Sequence, residues 1–139
     1  MLKIILTALL LGAFAVQAQT PAPVPAKAVA QLQELVRKTQ AEVVIGISSK
    51  KLPAETRPLL NRVLVQAASD FLALAAHQPT REAYYKTLDA GLAKLKPMMP
   101  GVKDREQVAE YFQDMLDIVG LDSSEGRLTA FVEGGNSRE

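Results

Sequence analysis

Hydrophobic and polar positions recur with a helical period along most of the chain, most densely between Thr56 and His77. Thirteen of the eighteen residues from Leu59 to Ala76 are apolar. Placed at about 100° per residue, Leu60, Val63, Leu64, Ala67, Ala68, Phe71, Leu74 and Ala75 share one wide arc, opposite Asn61, Arg62, Gln66, Ser69 and Asp70. Val65, Leu72 and Ala76 add apolar groups to the polar side, so this helix is expected to meet neighbours on more than one face. Arg62 and Asp70 argue against a membrane span, because the longest unbroken apolar run is the six residues Phe71 to Ala76, far short of the ~20 that a span needs. Pro58 suits the first turn, with Thr56 as the cap and Pro53-Ala54-Glu55 as a turn ahead of it. Gln78-Pro79 is the stop.

Other stretches give three more helices and a short fourth. Ala26 to Glu42 carries Val29, Leu32, Leu35 and Val36 on one face. Pro79-Thr80 opens a helix from Arg81 to about Lys96, capped by Thr80, with Tyr84, Tyr85, Leu88, Leu92 and Leu95 aligned. Gly91 costs that helix about 1 kcal/mol relative to alanine, and its lack of a side chain suits the close approach of another helix. After the break at Pro97 to Gly101, Asp104 and Gln107 have capping-box spacing. Val108, Tyr111, Phe112, Met115, Leu116 and Val119 follow at helical intervals, and Gly120 stands where a left-handed C-terminal residue belongs. Asp122-Ser123-Ser124-Glu125 repeats the capping pattern and begins a last short helix through Leu128, Phe131 and Val132. The β-branched Val43 to Ile47 is expected as a buried extended connection; the residues alone leave helix, strand and loop open. The expected fold is all-α, a compact irregular bundle of four main helices plus a short C-terminal one, with a core containing Leu60, Val63, Leu64, Phe71, Leu74, Leu88, Leu92, Phe112, Met115 and Val119.

The first eighteen residues stand apart from this pattern. Lys3, the mainly apolar Ile4 to Val16 and the small-residue site Val16-Gln17-Ala18 are the three parts of a secretory signal peptide, cleaved after Ala18. The expected address is periplasmic or secreted, with no stable membrane span once the leader is removed. Gln19 to Pro25 reads as an extended, mobile proline-rich linker, residues 26–135 as one helical domain, and residues 136–139 as a disordered tail. The chain has no cysteine. Thiolate nucleophiles and thiolate metal sites are therefore excluded, and stability must come from the core rather than disulfides.

Beyond the leader, basic and acidic residues balance, but unevenly. Lys27 to Lys96 carries eleven basic and six acidic residues; from Pro97 onward there are four basic and nine acidic. The bland outcome is that the two parts pack together and partly neutralise each other. The sharper one is a charged face for a partner. With no basic excess and no tryptophan, nothing points to nucleic acid.

Candidate chemistry is sparse. His77, the single histidine, lies at the end of the central helix, where capping the helix C-terminus suits it better than serving as a catalytic base. Glu106, Glu110, Asp114 and Asp117 form an acidic stripe along one helix face. Such carboxylates could bind a hard cation or act as a catalytic pair, but a stripe of this kind, with the apolar residues opposite, is usually the solvated face of an amphipathic helix. Tyr84, Tyr85, Phe71 and Met115 are the candidate lining of an interhelical ligand pocket, against the plainer reading that they are core. No metal site and no cofactor motif is recognised.

Three stretches, LPAETRPLLNRVL, PTREAYYKTLDAGLAKLKP and DREQVAEYFQDMLDIVGLDSSEGRL, resemble a family of small bacterial proteins classified only as a domain of unknown function. The likeness runs from about Leu52 to Phe131, and it implies a compact, mainly helical domain with no activity to transfer. The leading functional reading is a non-enzymatic exported module that binds a protein partner, as an inhibitor, an immunity-like protector or an accessory subunit. The alternatives are a small-molecule or lipid carrier and a carboxylate-dependent hydrolase.

Overall fold

The computed structural model describes residues 21–41, 45, 50–77 and 79–134. Five α-helices occur among them: α1 (Ala28–Ala41), α2 (Arg57–Ala75), α3 (Arg81–Leu95), α4 (Val102–Ile118) and α5 (Arg127–Gly134). One 3-10 turn, Ala54–Thr56, leads into α2, and another, Lys96–Met98, follows α3. The architecture is the expected all-α bundle. The expected leader (residues 1–18), the expected tail (136–139) and most of Val43 to Ile47 lie outside the described residues; within that last stretch Ile45 is buried.

The packing follows from the apolar faces. Helix α1 packs along α2, α2 along α3 and α4 along α5, with a smaller contact between α1 and α4. Ala67 of α2 faces Gly91 of α3, while Phe71 stacks on Tyr84 with ring centroids 5.1 Å apart. Rising positions on α2 thus meet falling positions on α3, so the two run antiparallel. Gly91 is where α4 enters: a Cβ there would lie 3.2 Å from Phe112 Cζ and 3.8 Å from the Ala67 Cβ. The helix-propensity cost of glycine is offset by the seat it gives a fully buried phenylalanine. Of the ten core positions read from periodicity, eight are buried; Val63 and Leu74 are half-buried on the margin of the core.

The helix ends show which local signals govern. Thr80 accepts a hydrogen bond from the Ala83 amide at 3.1 Å, a normal N-cap. Thr56 is helical and makes no side-chain cap; the 3-10 turn before it runs into α2, with the Thr56 amide on the Pro53 carbonyl. The end of α4 is a Schellman motif: the Leu121 amide reaches the Leu116 carbonyl at 2.8 Å, the Gly120 amide reaches Asp117 at 3.1 Å, and Gly120 has φ 84°.

Two expected starts move. Helix α4 begins at Val102 with Gly101 as its N-cap, so Asp104 lies in the first turn instead of capping it. The displacement has a cause in Arg105, which is 3 % exposed. Its guanidinium donates to the carbonyls of Met99 (2.8 Å), Pro100 (3.0 Å) and Val132 (2.9 Å), fastening the α3–α4 connection and α5 to the first turn of α4. Helix α5 starts at Arg127, after Glu125 (φ 55°) and Gly126 (φ 86°). Ser124, rather than Asp122, supplies the cap oxygen, accepting from the Leu128 amide at 3.2 Å.

Residues 21–25 were expected as a mobile linker, yet they lie against the bundle. The Ala22 amide donates to the Pro79 carbonyl at 3.0 Å, Pro21 pairs with Thr80 in an isolated bridge, and Ala22 is buried with Val24 half-buried. In Pro21-Ala-Pro-Val-Pro25 the apolar non-proline residues alternate with exposed prolines. An extended strap with that period turns one edge to the core.

Candidate functional site

Chemistry-bearing side chains gather on and beside α4. Its inner face buries Val108, Phe112, Met115 and Leu116, and its outer face carries Glu106, Glu110, Asp114 and Asp117, all exposed. Residues spaced by three and four fall on one side of a helix, so the carboxylates form a ridge with a groove on each flank. Glu106 sits near the N-terminal end of that ridge, 3.8 Å from Lys103. Glu110 lines the groove between α4 and α5, together with Ala109, Gln113, Leu128, Thr129, Val132 and Glu133; its volume is about 350 Å3. Asp114 and Asp117 line the groove between α1 and α4, opposite Glu34, Leu35 and Lys38, with a volume of about 360 Å3. Asp117 also accepts from Gln113 at 2.9 Å.

This arrangement does not converge. A paired-carboxylate hydrolase needs two acids flanking a cleft, one of them poorly solvated, whereas these four point outward along a ridge. Among the described residues no three His, Cys, Asp or Glu side chains come together as a metal site. His77 is exposed, and its Nδ1 lies 2.8 Å from the Ala73 carbonyl one turn back, which is the geometry of a helix-end cap.

The proposed pocket residues separate. Phe71, Tyr84 and Met115 are fully buried, with Phe71 and Tyr84 stacked in the core. The Tyr84 hydroxyl has no hydrogen-bond partner, and burial pushes its pKa up to about 12. Tyr85 faces a different place. Its hydroxyl donates to the Ser123 carbonyl at 2.6 Å, and the Arg127 guanidinium lies 4.4 Å above its ring. Arg127 also pairs with Asp89 at 2.9 Å, so α3 is clamped to the start of α5 by a cation–π contact and an ion pair. A groove of about 400 Å3 runs past this clamp, lined by Arg81, Glu82, Tyr85, Lys86, Asp89, Glu125 and Arg127. Tyr111, half-buried, shares a hydrogen bond with Thr39 at 2.9 Å and ties α4 to α1.

Residues 23–136 match the model of the family described as Domain of unknown function (DUF4844). The chain belongs to this family. The DUF4844 bundle is also similar to a crystal structure of a DUF3571 family protein from Acinetobacter baumannii, at 30 % identity and a TM-score of 0.63, over 78 % of this chain and 93 % of that one. No curated protein matches.

Periodicity located the carboxylates of this DUF4844 domain but missed the groove wall that α5 supplies. Glu133 and Thr129 lie one turn apart on α5 and border the same groove as Glu110. Their spacing was readable, but which helix they would face was not. Arg127 and Arg105 were also passed over, because an arginine in a polar stretch reads as solvated until its carbonyl or ring partner is known. No helix among the described residues is long and apolar enough to cross a membrane.

Proposed function

We propose that the chain is exported and works as a non-enzymatic module that binds another protein through the acidic face of α4. The observation that carries this reading is the exposed ridge of Glu106, Glu110, Asp114 and Asp117, backed by a fully packed inner face. Carboxylates held outward on a rigid helix suit recognition, because they steer a basic partner and fix its register. They are poorly placed for acid–base catalysis, which wants a carboxyl group of raised pKa in a sheltered cleft. A carrier would need its aromatic residues around a void. Phe71 and Tyr84 instead pack on each other, and Met115 is buried in the core with them. The leader read from Lys3 to Ala18 supports export, and without cysteine the domain relies on its core rather than on disulfides.

The test is co-purification of the tagged protein from its own host, beside a variant carrying Glu106→Gln, Glu110→Gln, Asp114→Asn and Asp117→Asn. A protein that accompanies the wild type in fixed stoichiometry and is lost from the variant is the expected result. A partner that stays with the variant would remove the acidic face from the reading.

A further inference from the structure

The two flanks of the α4 ridge differ in a way that singles out one of them. The α1–α4 groove is lined by both signs of charge, with Lys38 opposite Asp114 and Asp117. The α4–α5 groove is lined by carboxylates and by no cation. Ala109, Leu128 and Val132 form its apolar part, and Glu110 from α4 and Glu133 from α5 stand on its two sides. Neither Glu110 nor Glu133 has an ion pair or a hydrogen bond among the described residues. Two unpaired anions across an apolar floor repel each other weakly in water, and a cation placed between them relieves that repulsion. The walls are firm, because Arg105 holds the Val132 carbonyl at 2.9 Å and Ser124 caps α5 through the Leu128 amide.

Resting on the binding-module reading, we infer that the α4–α5 groove seats a short amphipathic segment of the partner protein, with one or two apolar side chains on Ala109, Leu128 and Val132 and flanking Lys or Arg residues on Glu110 and Glu133. The charge of the two walls chooses a basic segment over an acidic or neutral one. The shape chooses side chains over a small molecule, since the groove is an open trough between two helices and accepts the apolar face of a helix or turn. Its volume of about 350 Å3 is at the small end of the ligand-pocket range, enough for anchoring side chains.

The experiment is an NMR titration of the 15N-labelled mature chain with a Lys/Leu amphipathic peptide and its Glu/Leu counterpart. The expected result is a shift of the Ala109, Gln113, Leu128 and Val132 amides with the Lys/Leu peptide alone, weakening as salt rises. Glu110→Gln with Glu133→Gln should weaken binding by about tenfold or more, while Glu55→Gln in the turn before α2 with Glu82→Gln in the first turn of α3, neither of which lines this groove, should leave it unchanged. Shifts scattered over the surface, equal weakening by both pairs of substitutions, or no binding would each overturn the assignment. Dilution-dependent shifts at the same residues without peptide would overturn it in favour of a second copy of the chain. If a partner from the host stays bound to the Glu110→Gln, Glu133→Gln variant, the groove is wrong and the binding-module reading stands; if no partner is found at all, that reading fails first.

Discussion

Arg105 Nε donates to the Val132 carbonyl at 2.9 Å across 27 residues of chain. The guanidinium also satisfies the Met99 and Pro100 carbonyls, so one buried side chain closes the α3–α4 connection and holds α5 in place. A cation this deep is stable because each of these contacts is a charge-assisted hydrogen bond. Replacing it leaves the buried Met99 carbonyl and the partly buried Pro100 and Val132 carbonyls without this donor. Arg105→Met should therefore cost about 2–4 kcal/mol, measured by chemical denaturation, and should loosen α5 first, seen as faster amide exchange from Leu128 to Val132.

Gly91 is a packing glycine. Substituting alanine would gain about 1 kcal/mol of helix propensity but would put a methyl group 3.2 Å from the fully buried Phe112 ring. Overpacking of that kind costs about 1–3 kcal/mol, so Gly91→Ala should be net destabilising. Combining it with Phe112→Leu should cost less than the two single changes added together, which a double-mutant cycle of melting temperatures would show.

The Tyr84 ring packs on Phe71 while its hydroxyl is buried without a partner. Tyr84→Phe keeps the packing and removes an unsatisfied group, so its stability should equal or exceed that of the wild type. The same burial predicts an alkaline limit. The charged form of tyrosine is the deprotonated one, and the folded state holds the Tyr84 proton to about pH 12, against 10 in the open chain. Stability from this group is complete below pH 10 and is lost as pH rises towards 12, by about 1.4 kcal/mol per pH unit. Tyr85 and Tyr111 are also shifted upward, mainly by burial, and act in the same sense. Urea midpoints between pH 9 and 12 should fall less steeply in Tyr84→Phe.

The α4 ridge separates function from stability. Glu106, Glu110 and Asp114 follow one another at intervals of four, where like charges repel on a helix. The Glu106→Gln, Glu110→Gln, Asp114→Asn, Asp117→Asn variant should melt no lower than the wild type while losing its partner. A large fall in melting temperature would show the ridge to be structural.

Helix faces and several helix ends were legible in the sequence. The apolar spacing of Leu60, Leu64 and Phe71, the Thr80 cap and the Gly120 stop are local signals, and local geometry obeys them. Asp104 and Asp122 were misread as caps because each choice depends on a distant group. The start of α4 is set by what Arg105 reaches, and the start of α5 by Ser124 together with the turn at Glu125 and Gly126. The strap of residues 21–25 was hidden in a proline-rich composition, although its alternation of Ala22 and Val24 with prolines was visible. The candidate aromatic set is split for a similar reason. Periodicity places Tyr84 and Tyr85 side by side, but only the fold sends one into the core and the other to the Arg127 clamp.

The most direct measurement is native mass spectrometry of the tagged protein released gently from cells of its own host. The expected species is a chain beginning at Gln19, carrying a second protein in fixed stoichiometry. A chain that keeps residues 1–18 would contradict export. A bound mass of a few hundred daltons would make the protein a carrier, and a bare monomer would leave the acidic face of α4 without the partner assigned to it.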